Sequence, residues 1–143
     1  MADEVKKATR SLGTKLMKGT TAIAGLTSIG GIEITADTTD VTTLDSEGGY
    51  REFIGTFKDG GEVSIEGFFN PDTTSGQVAL QTSLDSGLAE DYTIDFPTTP
   101  AWGWTFKGVV TGFKVGDVDV DGTIAFGATI KVSGKPVLAA IGE

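Results

Sequence analysis

The stretch "VGDVDVDGTI", residues 115–124, sets three aspartates at alternate positions ahead of a glycine. Asp117, Asp119, Asp121 and Gly122 match positions 1, 3, 5 and 6 of an EF-hand loop, where carboxylate oxygens converge on a hard cation. The full motif also needs a bidentate Glu at position 12 and a helix on each side. Position 12 is Ala128 here, and the flanks read as strands, so the EF-hand fails. A looser calcium turn leaves the three aspartates as weak metal candidates; no metal and no cofactor is expected.

Paired carboxylates are the other route to chemistry. Glu62 and Glu66 share one face of a strand, but four residues at ~3.3 Å each set them about 13 Å apart. Glycosidase pairs need roughly 5–9.5 Å. Glu33 and Asp37 have the same spacing and fail in the same way. The chain has no Cys and no His, which removes thiol nucleophiles, imidazole bases, disulfides and the usual zinc sites. No Gly-Lys-Ser/Thr phosphate loop is present. No catalytic residue is expected. Trp102 and Trp104 point to one side of a strand, which permits a sugar-stacking platform but fits sheet packing better.

The elements that would carry these residues are mostly strands. A chain of 143 residues holds one domain with a real core. Its 21 glycines and frequent Thr favour turns and strands. Residues 1–12 form a polar arm without a signal-peptide core, so synthesis in a cytoplasm is expected. No apolar run reaches the ~20 residues that span a bilayer. The net charge of −9 opposes wrapping nucleic acid, which needs a basic footprint.

Short strands are expected at 14–19 and 21–26, and a half-buried one at 29–37 with Ile32 and Ile34 inward. Residues 38–61 have no sustained periodicity, a long segment of the kind a partner orders. Strand 61–69 alternates, with Val63 and Ile65 inward and Glu62, Ser64 and Glu66 outward. One helix follows, with Leu80, Leu84 and Leu88 as its stripe, a cap at Asp72, Thr74 or Ser75, and a stop near Gly87. Strands close the chain at 92–96, 102–115 and 123–132. Trp102, Trp104 and Phe106 have the opposite parity to Val109 and Phe113, so a bulge near Gly108 is expected. A turn at Gly116–Asp117 would face Val115 with Val118, Phe113 with Val120 and Lys114 with Asp119, making "DVDVDG" a strand with its aspartates outward. An acidic loop without metal is the remaining reading. The order implies a mainly β (α+β) domain: an antiparallel β-sandwich or partial barrel with one flanking α-helix and a long inter-strand loop.

Residues 38–67, "TTDVTTLDSEGGYREFIGTFKDGGEVSIEG", and the ending "ATIKVSGKP" (128–136) resemble the major tail (tail tube) proteins of long, non-contractile-tailed bacteriophages. The order and spacing of the motifs, over about residues 12–138, carry the likeness. It implies a structural virion protein of the phage tail that stacks as hexameric rings into a hollow tube conducting DNA during ejection. Implied partners are further copies of the chain, tape measure and tail terminator proteins, and genomic DNA passing without specific binding; no membrane is involved. Loop 38–60 would bind neighbouring subunits through Leu44, Tyr50, Arg51, Phe53, Ile54 and Phe57. Residues 1–12 and the tail 137–143 would be secondary tethers. Glu33, Asp37, Glu62 and Glu66 would give the lumen an acidic face that repels phosphate. A carbohydrate-binding β-sandwich using Trp102 and Trp104 is the alternative.

Overall fold

The computed structural model describes residues 12–72, 76–97, 101–116, 118, 120 and 122–140. Nine strands and one α-helix are formed: β1 (Lys15–Lys18), β2 (Thr21–Ala22), β3 (Leu26–Ile29), β4 (Thr35–Asp40), β5 (Phe53–Asp59), β6 (Glu62–Phe68), α1 (Gln77–Ser86), β7 (Glu90–Asp95), β8 (Trp102–Gly116) and β9 (Ala125–Ala140). Seven strands make one curled antiparallel sheet in the order β2-β1-β7-β8-β9-β6-β3, and β4 pairs only with β5. The mainly β class with one flanking helix therefore holds, in the form of a partial barrel.

Alternation builds the core. β6 buries Val63, Ile65 and Gly67 and exposes Glu62, Ser64, Glu66 and Phe68, as its period-2 pattern predicts. Leu16, Tyr92, Ile94, Phe106, Val110, Phe126, Ala128, Ile130 and Val132 join them on one sheet face. Tyr92 stacks on Phe106 at 5.8 Å between ring centroids, and Phe113 meets Phe126 edge-on at 5.6 Å. α1 covers this face above β8 and seals it with Leu80, which is fully buried. Burying such a leucine contributes about 1.5–3 kcal/mol. Gly87, at φ 70°, ends the helix by giving its N–H to Ser83 O. Leu84 is half-buried, while Leu88 lies beyond the helix and is exposed. Gly76, not Asp72, stands at the N-cap; Thr74 and Ser75 lie outside the described residues.

The structure departs from further expectations, among them a loop at 38–60, whose two ends belong to the paired strands β4 and β5. Residues 30–34 are not strand, so the element expected at 29–37 splits into the end of β3 and the start of β4. Ile32 packs on the core but Ile34 stays exposed. The parity change in β8 falls at Thr111, where the pairing shifts between Val110 and Gly112. Gly108 has another role: a Cβ there would come within 2.4 Å of Ile130 Cγ2. β9 runs on through residues 137–140, expected as tail, and pairs them with Trp102–Thr105 after a second irregularity at 134–136. Finally, the β8–β9 ladder closes at Gly116↔Ala125, with Phe113 opposite Ala128 and Lys114 opposite Gly127. The two-residue turn at Gly116–Asp117 does not form. Val118 and Val120 are outside any strand and exposed, because the apolar partners of β8 are Phe126 and Ala128.

Candidate assembly interface

The segment 34–60 is the least buried part of the described chain, and it is ordered. β4 and β5 pair from Thr35↔Asp59 to Asp40↔Phe53, with one irregularity between Ala36 and Thr38. Polar contacts fix the tip. Asp40 Oδ1 accepts from the Thr42 amide at 2.8 Å, Thr42 Oγ1 accepts from the Glu52 amide at 2.8 Å, and Val41 N–H donates to Glu52 O at 2.9 Å. A single 3₁₀ turn, Glu47–Gly49, closes the tip. Gly48 and Gly49 adopt φ of 65° and 74°, the left-handed region that a side chain resists. Arg51 Nη1 reaches Asp40 Oδ2 at 2.9 Å across the hairpin. Thr42 first, and Arg51 last, hold the Asp40 carboxyl below its ordinary value.

Every residue of β4 and β5 is exposed. Phe53 and Ile54 are consecutive in a strand and so point to opposite faces, yet they are 56% and 53% exposed. Phe57 is 86% exposed, and Leu44 and Tyr50 at the tip are as open. The hairpin thus has apolar side chains on both faces and no inside. A lone two-stranded hairpin is marginal in water, and these exposed apolar side chains gain nothing from it until something covers them. Five of the expected contacts, Leu44, Tyr50, Phe53, Ile54 and Phe57, stand free on it, while Arg51 is spent on Asp40.

The hairpin is anchored at its base. The Asp59 carboxylate accepts from the Gly61 amide at 2.8 Å and from Lys131 Nζ at 3.1 Å. These two, the amide first, hold its pKa below the ordinary value. Gly60 lies flush on β9, where a Cβ would meet Val132 Cγ1 at 2.6 Å.

The sheet face away from the helix is polar and sets opposite charges on adjacent strands. Lys15 lies opposite Asp95, Lys107 opposite Asp91, and Lys131 opposite Glu62. Glu66 and Lys114 flank Gly127 in one row. Only one of these contacts is a formed ion pair by distance, Lys107 Nζ to Asp91 Oδ1 at 2.9 Å. Of the four expected lumen acids, Glu62 and Glu66 come together here. Glu33 and Asp37 do not: one sits ahead of the hairpin and the other in β4.

Asp117, Asp119 and Asp121 lie outside the described residues. Among the described residues, no group of three His, Cys, Asp or Glu is placed to hold a metal ion, and no helix is long and apolar enough to cross a membrane. Trp104 packs half-buried against the core while Trp102, opposite Ala140, is exposed, so the two rings do not form an open platform. One structural residue escaped the sequence reading. Gln77 is fully buried at the helix start, its Nε2 donating to Ala24 O and Phe68 O at 2.8 and 2.9 Å and its Oε1 accepting from the Asn70 amide at 2.8 Å. Only its place one residue after a glycine at a helix start hinted at it.

Comparison with known proteins agrees with this geometry. A family model described as "Lambda phage tail tube protein, TTP" matches residues 14–139. Among solved structures, a chain in the virion of a native gene transfer agent particle superposes with a TM-score of 0.72 at 22% identity, covering 93% of this chain and 100% of that one. A chain in the sheath-tube complex of an extracellular contractile injection system gives 0.72 at 14% identity, covering 96% and 95%. A chain in the anti-feeding prophage tube-terminating cap gives 0.74 at 12% identity, covering 95% and 93%. No curated protein sequence shows a significant match.

Proposed function

From the premise that this chain belongs to the lambda phage tail tube protein family, whose members are structural and not enzymes, we propose that it polymerises as hexameric rings stacked into a hollow tail tube that conducts DNA. The observation that carries the reading is the β4–β5 hairpin with apolar side chains on both faces and nothing among the described residues to bury them. A second copy is the partner that supplies such a cover at every position of a repeating assembly. Leu44, Tyr50, Phe53, Ile54 and Phe57 are the contacts, and Arg51 acts through Asp40 to hold the hairpin's shape. Closing the curled sheet against neighbouring copies also removes its open edges at β2 and β3.

A ring of six is supported by a structural relative described as the tail of an empty gene transfer agent particle with C6 symmetry. The helix-free sheet face, with Glu62 and Glu66, lines the channel in this reading. Tape measure and terminator proteins meet the two ends of the tube and its bore. Electron microscopy of the concentrated protein is the test: hollow tubes or rings with sixfold cross-sections are expected. A protein that stays monomeric at high concentration, or that forms solid fibres, would sink the proposal.

A further inference from the structure

One basic feature stands out on this acidic chain. A cleft of about 460 Å³ opens between the hairpin base and β9, lined by Ile34, Lys58, Gly60, Val132, Lys135 and Pro136, with Asp59 also at its wall. Val132 and Pro136 form a buried apolar floor, and Ile34 is exposed at the rim. Asp59 is neutralised by Lys131. Among the described residues, Lys58 and Lys135 make no ion pair. The cleft therefore presents an apolar floor between two uncompensated ammonium groups.

The sequence holds one segment of matching chemistry. Residues 117–121 read Asp-Val-Asp-Val-Asp, three carboxylates interleaved with two valines. Val120 is fully exposed and Val118 largely so. The ladder of β8 and β9 ends at Gly116↔Ala125, so in sequence this segment falls between their paired ends. The described residues give Val118 and Val120 no cover. The cleft spans the irregularity at 134–136, and its near wall, Val132, is seven residues along β9 from Ala125. Strand rise sets these about 23 Å apart, so the segment meets a cleft only on another copy. The N-terminal residues 1–11 are a poorer fit, with Lys6, Lys7 and Arg10 against Asp3 and Glu4.

We propose that the acidic segment 117–121 of one copy seats in the lysine-flanked cleft of a second copy, valines on the apolar floor and aspartates toward Lys58 and Lys135. The inference rests on the tube reading and names a second contact within it. Opposite charges at this contact set register between copies as much as affinity.

Because the chain has no cysteine, the full-length double variant Ile34→Cys/Val120→Cys reports the contact directly. Tubes assembled and then oxidised are expected to give a ladder of disulfide-linked copies on a non-reducing gel. In a second arm, Lys58→Glu/Lys135→Glu raises the concentration needed for assembly by about tenfold, equivalent to ~1.4 kcal/mol. Adding Asp117→Lys/Asp119→Lys to it brings that concentration back to within about threefold of the original, by charge complementarity. Tubes that form normally but give no ladder, or a ladder only from Ile34→Cys/Leu44→Cys, overturn this contact and leave the tube intact. Absence of tubes in the unmodified protein overturns both.

Discussion

Replacing Phe57 by Ser separates what holds the subunit together from what joins subunits. Phe57 is 86% exposed in β5, so almost none of its surface is buried by its own chain. Surface substitutions of this kind change a monomer's stability by no more than about 0.5 kcal/mol. Fully burying a phenylalanine is worth about 1.5–3 kcal/mol. Taking ~2 kcal/mol per subunit contact, at ~1.4 kcal/mol per tenfold, the critical concentration for assembly rises about thirtyfold. Sedimentation of polymer across a dilution series measures that concentration, and a thermal melt of dilute protein measures the monomer. A matching fall in monomer stability would place Phe57 in the fold instead. An unmoved critical concentration would remove the hairpin from the interface.

Two further outcomes follow from other contacts. Gln77→Leu keeps the side chain's size but strips partners from Ala24 O, Phe68 O and the Asn70 amide, so a loss of about 3 kcal/mol is expected in urea unfolding, near 1 kcal/mol per bond; a change under ~1 kcal/mol would mean the knot is dispensable. Acid should loosen the hairpin base. The Asp59 carboxyl is held below its ordinary 3.8 by the Gly61 amide and Lys131, so its contribution is complete above that value and fades as pH falls through the lowered one. Protection of the Gly61 amide, its exchange relative to the intrinsic rate at each pH, should hold from neutral pH and fall only below about pH 4; a fall near pH 6, or none at all, would refute the linkage.

The legible parts of the fold were those with one buried face. β6 could be read residue by residue because Val63 and Ile65 are inside and Glu62 and Glu66 outside. The hairpin was read as a loop for the opposite reason. Hydrophobic alternation is the imprint of one-sided burial, and β4 and β5 bury neither side. Its aromatics were visible in sequence, its strands were not. In β8 the conflict of parity between Phe106 and Phe113 announced a bulge, yet several glycines could have hosted it. The shift falls at Thr111 in the pairing with β9, a matter of register between strands that no local pattern records. The valines at 115, 118 and 120 imitated a hairpin because exposed apolar residues and a strand facing a core can share the same spelling. Gln77 was missed because its partners are backbone groups, of Ala24, Phe68 and Asn70, that no side-chain pattern marks.

The opposite charges that adjacent strands set on the helix-free face have an electrical meaning. Where an ammonium and a carboxylate meet, as Lys107 and Asp91 do at 2.9 Å, they form a dipole whose potential dies away much faster than that of a lone charge. Were this face to line a bore, a polyanion a Debye length away, ~8 Å in physiological salt, would sense little of either sign. Such a wall would neither grip phosphates nor push them off. Passage along it would then be nearly indifferent to ionic strength, a low-friction surface made by cancellation rather than by repulsion.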